Sequence, residues 1–264
     1  AYSDFYRLNM TNPASLASLQ FTSYALALET KNISAKDNNT KQSAASTYLS
    51  YLAFAVPIGL KGGMSFGLLP NTTVGYSLLS SNLGTDGEID ELTLYDGTGG
   101  TNRVYTAFGY NLFKGFNVGV QGNYVFGKIE NAITHQVRDV SLATKYETIA
   151  NLKGFSLNAG FQYLTKTKNN LNLYAGASFE LESELESEGS EHIYSVDINT
   201  LSSPRDTLLS NENVGFLKTP MKSTFGIGVG KDNIWYAGAD ISMRKAIVID
   251  GNVFNNFSKV KYDD

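Results

Sequence analysis

The stretch 171-LNLYAGASFELESELESEGSE-191 repeats with a period of two. Leu171, Leu173, Ala175, Ala177, Phe179 and Leu181 alternate with Asn172, Tyr174, Gly176, Ser178, Glu180 and Glu182, and the glutamates continue through Glu184, Glu186 and Glu188. A helix would scatter these carboxylates around its cylinder, whereas a strand sends successive side chains to opposite faces. The alternation outlasts an ordinary half-buried strand of about 5–6 residues. It predicts one long strand with an apolar and a polar face, the glutamates extending the polar one.

Other segments carry the same unit. KGFNVGVQGNYVFG (114–127) and KGFSLNAGFQYLTK (153–166) align without gaps with NNLNLYAGASFELE (169–182). Large residues recur eight positions apart, Phe116 to Tyr124, Phe155 to Tyr163 and Leu171 to Phe179. Eight residues rise roughly 26 Å along a strand. A tilt of about 40° reduces this to roughly 20 Å, close to the apolar band of outer-membrane barrels with its aromatic girdles. The opposite face is rich in Gly, Asn, Gln and Ser, as a watery lumen requires.

The connections sort into two kinds. Lys61-Gly62-Gly63, Lys114-Gly115, Lys168-Asn169-Asn170 and Lys231-Asp232-Asn233 mark short turns. Long polar connections are expected near 29–46, 82–101, 128–152 and 183–219. Short turns at one rim and long loops at the other predict an all-β, antiparallel transmembrane β-barrel of roughly ten strands. The competing reading is a soluble β-sandwich or barrel with its apolar face inward. The distinction is concrete, because Val118, Leu157 and Phe225 face hydrocarbon in the first and a common dry interior in the second.

Composition agrees. The chain has 264 residues, 42% hydrophobic and 17% charged, with no cysteine and a net charge of −4. It has no apolar run of the ~18 residues a spanning helix needs, no disulfide framework and no thiolate metal site. Its acidic balance argues against a nucleic-acid partner. Ala1 opens without a basic n-region or an apolar h-region, so no signal peptide is read there.

Chemistry is sparse, and the chain reads as a non-enzyme with no catalytic residues, no metal and no cofactor. His135 and His192 are its only histidines, both expected in solvated loops without a second histidine at ligand spacing. No serine sits in a G-x-S-x-G elbow, and DGTGGTN (96–102) reads as a loop because no helix follows to bind phosphate. The glutamate row, Glu180, Glu182, Glu184, Glu186 and Glu188, admits a divalent-cation site, since Ca²⁺ takes several carboxylate oxygens. The competing reading is a solvated strand edge that discourages pairing, with Lys145 or Lys166 as cross-strand partners. Pro57 and Pro70 fall at strand ends and receive no role.

LNMTNPASLASLQ (8–20), SYLAFAVPIGLKGGMSFGLLPNTTVGYSL (50–78) and GGTNRVYTAFGYNLFKGFNVGVQGNYVFG (99–127) resemble the FadL-like outer-membrane barrels of Bacteroidetes-type bacteria. That resemblance implies an N-terminal hatch over 1–20 inside a barrel over 21–264, with Asn12-Pro13-Ala14 as the gate element; the competing reading of these three is an ordinary N-terminal turn in which Pro13 restricts the residue before it. It also implies passive, hatch-gated transport of small hydrophobic molecules by an integral protein of a Gram-negative outer membrane. The alternative role is a non-catalytic accessory or plug subunit of a larger complex, such as the type IX secretion translocon. The implied partners are the lipid bilayer, hydrophobic small molecules and a large translocon protein. Members usually have fourteen strands and finish on a strand with a terminal aromatic residue. This chain stops at Lys261-Tyr262-Asp263-Asp264, so C-terminal strands are expected beyond the given sequence.

Overall fold

The computed structural model describes residues 8–36, 41–168, 170–197, 204–231, 234–245, 247–251 and 259–262. Within them one 3₁₀ turn, Pro13–Ser18, precedes a single sheet of 13 strands in which every pairing is antiparallel. The strands are β1 Ser23–Lys36, β2 Lys41–Ile58, β3 Gly62–Leu83, β4 Ile89–Phe113, β5 Phe116–Val137, β6 Leu142–Lys166, β7 Asn172–Glu180, β8 Ser183–Asp197, β9 Pro204–Thr219, β10 Lys222–Lys231, β11 Trp235–Arg244, β12 Ile247–Gly251 and β13 Lys259–Tyr262. The sheet curls, with β1 and β11 as free edges of its lower tier.

The faces are inverted relative to a water-soluble protein. Val120, Leu157, Phe155 and Phe225 are 61%, 58%, 73% and 43% exposed on the outer face. Asn117, Gln121, Asn123 and Gln162 are buried on the inner one. Val118 shares the outer face with Val120 and is half-buried among its neighbours. A soluble sandwich would bury the apolar row, so this distribution removes that reading. Outer aromatics gather at two heights, Phe113 against Phe116 (4.9 Å) at the short turns, and Tyr124 against Phe155 (5.0 Å) and Phe126 (5.9 Å) above.

The long loops expected from sequence are largely strand. β4 and β6 each run 25 residues, about 80 Å when extended against an apolar band of about 25 Å. Residues 89–101 pair with both β3 and β5, 128–137 with β4 and β6, and 183–197 with β6 and β9. Accordingly DGTGGTN lies inside β4, His135 in β5 and His192 in β8. Period-two patterning failed there for a physical reason. Above the apolar outer band side chains of both faces are exposed, as Leu78 and Leu79 of β3 are, so the polarity contrast fades while the backbone still pairs with its neighbours. Residues 37–40 and 198–203, within two of the expected loops, lie outside the described residues, as do 1–7, 169, 232–233 and 263–264.

The strand read as one over 171–191 is interrupted. Glu180 pairs with Asn158 and Leu185 with Gly154, so four residues on the β7–β8 side oppose three on β6. This is a β-bulge, and one extra residue exchanges the faces. The neighbouring strands break at the same level. Glu180 pairs with Lys222 and Ser183 with Thr219, while Lys222 also pairs with Arg244 and Lys218 with Val248. Thus β7–β8, β9–β10 and β11–β12 are three long strands, each interrupted at one common line. β6 alone on that side runs unbroken through both tiers. Counted this way the 13 segments make ten strands, the number the turn pattern led us to expect.

Candidate functional site

Asn12 starts the segment that docks on the inner face of β3 to β6. Pro13 disfavours the helical region for the residue before it, and Asn12 sits extended at φ −126°, ψ 106°. From there its Oδ1 accepts from the Ala14 backbone N–H at 3.0 Å, an N-cap with proline at the first turn position. The Ser15 hydroxyl donates to the Asn12 carbonyl at 2.8 Å, and the Leu19 N–H donates to the Leu16 carbonyl at 3.1 Å, closing the turn.

The Asn12 amide also ties the turn to the wall. Its Nδ2 donates to the carbonyls of Phe161 (3.0 Å) and Ala177 (3.2 Å), residues that face each other across β6 and β7. Gly119 and Gly160 form the floor there. A Cβ on Gly119 would run into the Pro13 backbone, and one on Gly160 into the Asn12 side chain. Gly63 and Gly109 make the same close approach to Leu16 and Pro13. Glycine at these positions is a steric requirement of the docked turn.

Around this contact the inner wall divides into two chemistries. Leu16 and Leu19 pack on Ala53, Ala55, Leu69, Tyr105 and Ala107. Tyr105 has its hydroxyl 3.0 Å from that of Ser65. On the other side amides bond one another. Asn111 donates to Asn117 (2.7 Å), Gln121 donates to Asn123 (2.7 Å), and Asn123 donates to the Ser156 hydroxyl (3.2 Å). Such buried amides are tolerated because each has a partner. The space between Leu8, Met10, Pro13, Tyr105 and Gln121 is a cavity of about 10 Å³, roughly the room for one water.

The candidate gate residues Asn12, Pro13 and Ala14 are therefore brought together, buried against the sheet. The glutamate row is not. Glu180 faces inward, 3.9 Å from Arg244. Beyond the bulge, Glu184, Glu186 and Glu188 face outward. Lys218 meets Glu184 at 2.8 Å, and Lys153 bridges Glu186 (3.5 Å) and Glu188. Glu182 is exposed at the break itself. The divalent-cation reading thus fails on geometry, and among the described residues no three His, Asp or Glu side chains converge to hold a metal. The cross-strand cations are Lys153 and Lys218, whereas Lys145 pairs with Glu147 at 3.0 Å and Lys166 stands opposite Asn172. The signal for these partners lay in register, which a bulge shifts and periodicity does not locate.

A family model described as BamG matches residues 1–264. The chain belongs to the BamG family. The inside-out faces and the antiparallel curl fit the β-barrel character of a BamG-family protein. No curated protein and no solved structure matches this BamG-family chain.

Proposed function

We propose that this BamG-family chain is an integral outer-membrane barrel that acts without catalysis as an accessory subunit of the barrel-assembly (BAM) complex to which its family name points. The observation that carries this reading is the close seating of the Asn12–Leu19 turn on the inner face. It rests on a glycine floor, and the space between Leu8, Met10, Pro13, Tyr105 and Gln121 is only about 10 Å³. A turn seated this closely makes the outer face and the rims the surfaces on which a partner would act. The FadL-like alternative, hatch-gated passage of small hydrophobic molecules, requires the turn to leave. The observation that favours it is the weakness of the turn's polar ties to the wall, chiefly one amide shared between two carbonyls and a bond from Asn117 to the Ser18 hydroxyl.

Mild detergent extraction followed by mass spectrometry of the intact assembly tests both. The accessory reading expects barrel-assembly proteins in fixed stoichiometry and no flux of an apolar dye into vesicles carrying the purified chain. Recovery of the chain alone, with bound fatty molecules and dye entry, would overturn it in favour of transport. Recovery with a type IX translocon protein instead would move the accessory role to that complex.

A further inference from the structure

The short-turn rim is rich in lysine. Lys61, Lys114, Lys168 and Lys231 stand exposed there, with Lys166 one step inside, and in the sequence Asp232 is the one acid of these turns. At the far rim, Asp86, Glu88 and Asp90 face Arg138.

Beside the basic rim the outer face holds a hollow of about 610 Å³. Ala175 and Ala177 of β7 form its floor, Phe116 and Tyr163 one wall, and Phe225 and Ile241 the other. Phe179 stops the upper end, edge-on to Phe161 (6.2 Å) and Phe225 (5.7 Å). The lower end runs toward the lysine turns, where Lys231 faces Trp235 in register. In hydrocarbon, a protein neighbour gains no hydrophobic drive from covering such a surface. A flexible acyl chain fills it, and basic side chains at the membrane surface attract anionic headgroups.

We propose that this trough and rim form a binding site for an anionic glycerophospholipid, with one acyl chain along Ala175 and Ala177 and the phosphate among Lys114, Lys168 and Lys231. The proposal rests on the outer-membrane reading above and adds to it a defined lipid partner on the outer face.

The test uses the full chain in phosphatidylcholine vesicles doped with spin-labelled phosphatidylglycerol or spin-labelled phosphatidylcholine. The motionally restricted fraction reports bound lipid, and the fluorescence of Trp235, the only tryptophan, reports insertion. Wild type is expected to prefer the phosphatidylglycerol probe by on the order of tenfold. K114Q/K168Q/K231Q should bring the two probes to parity, and Ala177→Met, which fills the trough from its exposed side, should lower retention of both. Insertion with equal retention of both probes by wild type, or with unchanged retention by Ala177→Met, overturns the lipid site alone. Failure of wild type to insert overturns the outer-membrane reading and the lipid site together.

Discussion

Asn12 makes three hydrogen bonds with one side chain, capping the turn through Oδ1 and joining two strands through Nδ2. Asn12→Ala removes the cap, worth about 1 kcal/mol, and the shared amide bond, worth about 1 kcal/mol more. Amide hydrogen exchange over residues 12–19 should then accelerate roughly thirtyfold, while the strands keep their protection. Gly119→Val tests the opposite surface by forcing the turn off its floor, and vesicles carrying it should admit ions that wild type excludes. Tyr146 offers a titration. Burial first, and then its hydrogen bond with Glu191, push its phenol from 10.0 up to about 12. The folded state therefore resists ionisation that the unfolded chain accepts, and this contribution is present below pH 10.0 and lost as pH rises toward about 12. In an alkaline absorbance titration, Tyr146→Phe should delete amplitude only from the latest part of the tyrosine transition. Asn12 was legible in the sequence because Asn-Pro-Ala is a local signal. Its partners Phe161 and Ala177 lie far along the chain and left none.

Among the strands, legibility followed the environment of each face. β5, β6 and β7 alternate cleanly where one side carries the exposed apolar row and the other the amide- and glycine-rich inner wall, and their apolar rows were readable residue by residue. The upper parts of β3, β4 and β5 were not, since Leu78 and Leu79 on opposite faces are both exposed. Nor does alternation in one strand reveal a bulge that depends on its neighbour. Deleting Glu182 removes the extra residue, and regular alternation from Glu180 then keeps Leu185 inward and Glu184, Glu186 and Glu188 outward in the same register with β6. Limited proteolysis should then find β8 and β9 as resistant as β4 to β6, and rapid cutting of β8 would show that the register slips instead. The two far hairpins are joined by Arg138, which meets Asp86 at 2.8 Å and Glu88 at 3.5 Å. Asp86 is held below its usual 3.8, first by the Glu88 backbone N–H and then by Arg138. Its contribution is thus present at neutral pH and is lost as the medium is acidified below 3.8. Hydrogen exchange at residues 84–90 and 136–140 should rise in that window before the rest of the sheet responds.

At the level of the whole molecule, the height of the apolar band predicts which outer positions resent a charge. Phe225 lies within it, so Phe225→Arg should cost about 2–4 kcal/mol in a folding titration against a bilayer. Leu79 stands in the upper tier, and Leu79→Arg should cost close to nothing, although the two wild-type side chains are similarly apolar. Equal costs would place the membrane elsewhere on the sheet. The division into tiers also has a mechanical side. A load on the outer canopy reaches the embedded tier stiffly through β3 to β6, whose ladders continue across the boundary. On the β7 to β12 side it meets interrupted strands, tied to β6 at the first joint by the Leu181 N–H bond to the Leu157 carbonyl (2.8 Å), and these bend more readily than continuous ladders. The canopy is thereby built to lean about β6 as a door leans on its post, and a passing tug on that side spends itself in tilt before it strains the part held in lipid.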